Sequence, residues 1–194
     1  MIKLRYGMTN TFFLPGTAGG LLIDTDYAGT LQAFFRTVKS AGIGLKDIRY
    51  LLATHYHPDH IGIAGELQKL GVTLLIADVQ SASIRFADSI FARDKHLNYL
   101  PIDEKKAVTI TCAESREFLK GLGISGEIIR TPSHSEDSVS LILDSGECFA
   151  GDLEPLEYLE AYGDNPALRK DWEALLSRHP KKIFYAHANE KEIG

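Results

Sequence analysis

The chain has no long apolar run. None approaches the roughly 18 residues needed to span a bilayer, so no transmembrane segment is expected. The opening stretch MIKLRYGMTNTFFLPG holds only FFL as an apolar core. A secretory signal is therefore not expected either, and the reading is a cytoplasmic protein. Cysteine is scarce. Cys112 and Cys148 are far apart and form no C-x-x-C pattern, which argues for buried free thiols over a disulfide or redox pair. Positive charge is not in excess: 21 Lys+Arg against 26 Asp+Glu give a net charge of −5. Such a balance offers no general attraction to phosphate backbones, so nucleic acid is not an expected partner. Fixed-period repeats, low-complexity stretches and linkers are also missing. The 194 residues, 44% hydrophobic and 24% charged, suggest one domain over 1–194 with a real core.

What the chain does have is short apolar runs punctuated by Gly and Pro. IKLRY, TFFL and GLLID read as strands at the start. A helix is expected from about Ala28 to Ser40, because Leu31, Phe34, Phe35 and Val38 recur at i, i+3, i+4 and i+7. Gly42 and Gly44 end it. IRYLLAT and VTLLIA are further strands, with a short helix between them, and the stretch from Asp78 to Lys106 is mixed and partly helical. GEIIRTP, SVSLILD and ECFAGD read as three more strands. A late helix starts with Asn165 as N-cap and Pro166 in its first turn, burying Leu168, Trp172, Leu175 and Leu176. His179-Pro180 stops it, and KIFYA is the last strand. Strands in two sets with interspersed helices predict a layered α/β (α+β) fold, sheet inside and helix outside.

The polar clusters share one placement. In ATHYHPDHIG, residues 53 to 62, His55, His57, Asp59 and His60 follow the strand IRYLLAT. His134 follows GEIIRTP, Asp152 ends ECFAGD, and His187 follows KIFYA. If these strands converge at one sheet edge, five histidines and two aspartates meet there. Zinc takes imidazole nitrogen and carboxylate oxygen. The inventory is enough for two ions sharing one bridging carboxylate, and Asp152 suits that role because it can offer one oxygen to each. A lone histidine is usually an ordinary loop or core residue; the H-x-H-x-D-H spacing is one that short metal motifs use. His96 and His179 lack such context and read as structural or surface residues. Tyr56, between two of these histidines, either packs or presents a donor to the site.

The sequence resembles the metallo-β-lactamase superfamily over nearly its whole length. NTFFLPG and GGLLIDT look like its opening strands, with Asp24 ending a strand near the site. THYHPDH matches its T-H-x-H-x-D-H signature, TPSHSEDSVSLIL its second histidine motif, FAGDL its bridging-aspartate motif and FYAHANE its last histidine motif. The resemblance implies a four-layer αββα sandwich with the site at one edge. It implies that His55, His57 and His134 bind a first metal, that Asp59, His60 and His187 bind a second, and that Asp152 bridges. Ser133 and Ala188 stand where the family commonly has glycine. Seven residues follow His187, so the C-terminal helical extension of glutathione-thioester members, and with it a glyoxalase II activity, is not expected.

The expected function is a hydrolase using two zinc ions, with iron or manganese as alternatives. A bridging hydroxide would attack a small ester, thioester, lactone or amide, and Asp59 would help move its proton. The alternative is a mononuclear iron sulfur dioxygenase, since these ligands also take Fe(II). The expected partner is a small-molecule substrate, with no membrane. Specificity is expected from the rim, residues 7–19, about 80–106 and 153–164. Residues 81–101, rich in large apolar groups including Phe91 and Tyr99, either pack as an outer helix or close over the site as a lid.

Overall fold

The computed structural model describes residues 1–161 and 165–193. One sheet carries β1 (Ile2–Arg5), β2 (Asn10–Leu14), β3 (Gly20–Ile23), β4 (Ile48–Leu52), β5 (Thr73–Ala77) and β6 (Ala107–Ile110), side by side in chain order. The first three form an antiparallel meander, and β3 to β6 run parallel. Parallel neighbours need crossover connections. α1 (Leu31–Ser40), α2 (Pro58–Ile61), α3 (Ala64–Lys69) and α4 (Asp88–Phe91) lie in those crossovers. α5 (Ser115–Gly121) leads to the second sheet. There β7 (Gly126–Arg130), β8 (Val139–Leu143), β9 (Glu147–Gly151), β10 (Lys182–Tyr185) and β11 (Lys191–Glu192) stand in the order β11-β10-β9-β8-β7. Between β9 and β10 come α6 (Tyr158–Ala161) and α7 (Pro166–Leu176).

Strand side chains alternate between faces, and each face finds an apolar partner. Leu21, Ile23, Leu52 and Leu75 of the first sheet meet Val139, Leu141, Phe149 and Phe184 of the second in a central core. The opposite face of the first sheet, with Leu22, Leu51 and Leu74, is covered by Phe34 and Val38 of α1 and by Ile61 and Leu67. The outer face of the second sheet, with Ile142, Cys148 and Ile183, packs on Leu168, Trp172 and Leu175 of α7. Three cores between four layers make the αββα sandwich. Each large side chain so buried contributes about 1.5–3 kcal/mol. Because most strands are covered on both faces, they read as continuous apolar runs.

Several expectations shift. α1 begins at Leu31, not Ala28, because Gly29 has φ 87° and the Thr30 hydroxyl closes a turn onto the Tyr27 carbonyl. Leu176 is exposed, outside the buried face of α7. Asn165 does cap α7, its side chain accepting from the Leu168 amide. β6, α5 and β11 lack strong sequence signals and are additions. Cys148 is buried and Cys112 half-buried, both as free thiols. In residues 81–101, Ile84 and Phe91 sit in the core under the first sheet with Tyr99 packed against them, so these residues follow the packing alternative. Phe86 is different: it is 50% exposed. No helix among the described residues is long and apolar enough to cross a membrane.

Two main-chain hydrogen bonds tie the sheets together at one edge. The Val139 amide donates to the Thr54 carbonyl at 2.8 Å, and the Asn10 amide to the Ala186 carbonyl at 2.7 Å. The C-terminal ends of β4, β7, β9 and β10 point to that edge, so the loops after them share it.

Candidate metal centre

After β4 the chain bends at Thr54 and His55 and becomes extended at His57. His57 then caps α2, with Pro58 in the first turn. This short helix turns the chain back and puts Asp59 and His60 beside His55. His60 lies fully buried, and its ring centroid is 4.0 Å from that of His55. His134 arrives from the loop after β7, Asp152 from the end of β9 and His187 from the end of β10.

The side chains gather as two groups. His55, His57, His134 and Asp152 form one, and Asp59, His60 and His187 the other; within each, the ligand-type atoms all lie within 4.8 Å of one another. His57 Nδ1 is 2.9 Å from His55 Nε2 and 3.1 Å from His134 Nε2. Asp152 joins the groups. Its Oδ2 is 3.7 Å from both His55 Nε2 and His134 Nε2, while its Oδ1 is 3.4 Å from both His60 Nε2 and His187 Nε2. His187 Nε2 also lies 3.0 Å from Asp59 Oδ2. All seven predicted ligands are thus brought together, and His96 and His179 are not among them.

These spacings, from 2.9 to 3.7 Å, bracket those around a metal ion. Four tetrahedral donors about 2.0–2.2 Å from zinc stand roughly 3.3–3.6 Å apart. Two atoms add a second observation. His60 Nε2 and Asp152 Oδ1 are buried without a well-aligned hydrogen-bond partner, although burying a polar group unpaired costs about 1–3 kcal/mol. A cation between them would satisfy both.

Electrostatics follow from crowding. Burial, followed by the neighbouring imidazoles of His60, His57 and His134, drives the His55 pKa far below its ordinary value. His55 is therefore neutral, as a metal ligand must be. Burial also lowers that of His134. Burial acts the same way on His60, but Asp24 and Asp152 outweigh it and raise the pKa to about 10, so a cation taken up at Nε2 would displace a proton. Asp152 is held below the ordinary carboxylate value, because His60, His187 and His134 outweigh its burial.

Each ligand loop is held from behind by a buried polar group. Asp24, in a left-handed conformation at φ 59°, accepts from the Thr54 amide at 2.6 Å and from the Thr54 hydroxyl. Its Oδ2 lies 3.2 Å from His60 Nδ1, which fixes the ring with Nε2 toward Asp152. Asp137 accepts from the Tyr56 amide at 2.7 Å, bracing the chain between His55 and His57. Asp171 accepts from the Ser133 amide at 2.7 Å, just before His134. Burial raises the Asp171 pKa, partly offset by that amide. The Thr9 hydroxyl donates to the Asp59 carbonyl at 2.8 Å. Asn10 Nδ2 donates to the carbonyls of Tyr185 at 3.0 Å and Ala188 at 2.9 Å, spanning His187. Gly151, at φ 57°, is needed because a Cβ there would meet the Thr54 hydroxyl at 2.4 Å.

Sequence reasoning anticipated Asp24 but missed Thr9, Asn10, Asp137 and Asp171. A signal existed for Asp171 alone, as a carboxylate within the apolar stripe Leu168, Trp172, Leu175. Tyr56 is corrected as a substrate donor: its side chain is 1% exposed and packs in the core, while its amide bonds to Asp137. Of the expected rim, 162–164 lie outside the described residues.

Comparison with known proteins bears on the family and the fold. The sequence profile of the metallo-beta-lactamase superfamily matches residues 4–187. A beta-lactamase-like protein 2 homolog of Drosophila melanogaster is 28% identical, over 96% of this chain and 61% of its own length. The chain thus spans under two thirds of that relative. A probable metallo-hydrolase of Methanocaldococcus jannaschii is 28% identical over 100% of this chain and 88% of its own. Among solved structures, TTHA1623 in a di-iron-bound form superposes with a TM-score of 0.69 at 21% identity, covering 98% of this chain and 93% of that one.

Proposed function

The chain belongs to the metallo-beta-lactamase superfamily, and on that premise we propose that it is a dinuclear metal-dependent hydrolase of small esters, thioesters, lactones or amides. The carrying observation is the Asp152 carboxylate, one oxygen facing His55 and His134 and the other facing His60 and His187. His55, His57 and His134 would hold the first ion, Asp59, His60 and His187 the second, and Asp152 both. The donor set, imidazole and carboxylate without thiolate, suits zinc and also admits iron or manganese. When bound, two such cations supply a water-derived nucleophile at neutral pH and a positive field for the developing oxyanion.

The protein's own groups do the rest. Asp59 and His187 are partly exposed at the mouth, whereas His55 and His60 form the floor. His134 is accessible beside them, so substrate enters over Asp59, His134 and His187. Asp59 accepts the proton of the attacking water and passes it to the leaving group. Asp24 keeps the His60 ring in one orientation throughout.

The test is reconstitution with zinc, elemental analysis, and a hydrolysis screen over thioesters, lactones, β-lactams and phosphodiesters. Two zinc ions per chain with turnover on a carbonyl substrate is the expected result. No metal uptake would refute the reading. Iron in anaerobically purified protein, with oxygen uptake on a sulfur substrate, would move it to a dioxygenase.

A further inference from the structure

Two rim segments beside the metal-ligand cluster each present one exposed large apolar side chain. Phe86 is 50% exposed, yet its ring centroid is 5.4 Å from that of His57. Tyr158 is 38% exposed and lines a cavity of about 270 Å³ that opens on His134, Asp152 and His187. Leu153, Pro155 and Tyr185 complete its apolar wall. Apolar side chains scattered singly over a surface are ordinary; gathered beside one polar cluster and its cavity, they mark a binding site.

The charges point the same way. Among the described residues, neither lysine nor arginine lines this cavity, and its one charge besides the candidate ligands is Glu154. A carboxylate or phosphodiester tail would find no cationic clamp there and would face a like charge.

We infer that this cavity and its collar form an acyl-binding site for neutral substrates with a short apolar or aromatic acyl group. The inference rests on the proposed hydrolase and adds the class of substrate. At about 270 Å³ the cavity is at the small end of ligand sites, so it takes an acyl chain of roughly four to six carbons or a single ring. Tyr158 binds the acyl group within the cavity, while Phe86, outside the cavity lining but beside His57, covers the substrate where its scissile carbonyl lies over the ligand cluster.

The experiment uses zinc-loaded protein on p-nitrophenyl esters from acetate to octanoate, alongside nitrocefin and bis(p-nitrophenyl) phosphate. kcat/KM should rise about fourfold per added methylene, the value for a methylene leaving water, and level off near the hexanoate. The hexanoate-to-acetate ratio of kcat/KM should fall about tenfold in Phe86→Ala/Tyr158→Ala. Being a ratio, it is insensitive to loss of folded or metal-loaded protein. Independently of turnover, calorimetry should show hexanamide binding to the wild type and at least tenfold weaker binding to the double variant. A flat chain-length profile, an unchanged ratio in the variant, or better turnover of the phosphodiester or β-lactam than of every ester would overturn the inference while leaving a hydrolase. If zinc binds and no ester, β-lactam or phosphodiester turns over, the hydrolase reading fails first, and hexanamide binding then decides the acyl site alone.

Discussion

Replacing Asn10 by alanine should weaken one metal site and spare the other. The Asn10 amide group donates to the Tyr185 and Ala188 carbonyls, the residues that bracket the Ala186–His187 segment. Asn10 is 3% exposed, so water does not replace those bonds easily. Losing these two hydrogen bonds costs about 1–2 kcal/mol each, or roughly 2–4 kcal/mol together. A domain with about 5–15 kcal/mol of stability stays folded after that loss. The main-chain bond from Asn10 to Ala186 survives the substitution, so the sheets remain joined. The backbone around His187, however, loses two of its ties, at Tyr185 and at Ala188. Removing such supporting bonds lowers metal affinity about 10- to 100-fold. Asn10 makes no hydrogen bond to the His55, His57 and His134 loops, so their site should be unaffected. The assay is zinc titration against a chromophoric chelator, with a thermal melt of each sample. The wild type should bind two ions tightly; Asn10→Ala should keep one and bind the second 10- to 100-fold more weakly. Equal loss of both ions would indicate general destabilisation, and undiminished affinity for both would show that Asn10 does not position His187. Either outcome refutes the selective role.

Other substitutions separate the bridge, the core and the backbone. Asp152→Ala should lose more metal than His60→Ala, because it removes the negative charge between two neighbouring cations whose repulsion is strong in a low-dielectric site; equal retention by elemental analysis would deny a bridge. Phe91→Ala, at 2% exposure in the core, should cost about 3–5 kcal/mol in chemical denaturation with little change in KM, and a raised KM without lost stability would restore the lid. Gly151→Ala should destabilise the fold and lower metal content together, since the added methyl meets the Thr54 hydroxyl that Asp24 holds; a variant with wild-type melting temperature and full zinc would contradict that packing.

How far the site could be read from the chain depends on which interactions are local. The gathering of the seven candidate ligands was legible because each follows an apolar strand directly, and because four of them share six positions whose spacing a short helix turns inward. The layers were legible where burial is on both faces, as in LLI of β3 and TLLIA of β5. β6 was not, since Ala107, Val108 and Thr109 are only partly buried or exposed and the strand takes its place from pairing with β5. β11 is two residues long and exists only as an edge to β10. In residues 81–101 composition showed that large apolar groups were present but not which way each points. Phe86 and Phe91 are five positions apart in one irregular segment, and one meets His57 while the other enters the core. The supporting shell was the least legible part. Thr9 and Asn10 open a strand on the first sheet, yet their partners Asp59, Tyr185 and Ala188 lie 50, 175 and 178 positions away. A polar residue at a strand start looks the same whether it meets water or the backbone of another sheet. Only the closing of the sandwich at its ligand-bearing edge decides between them, which is why these residues bear on the metal site without resembling one in sequence.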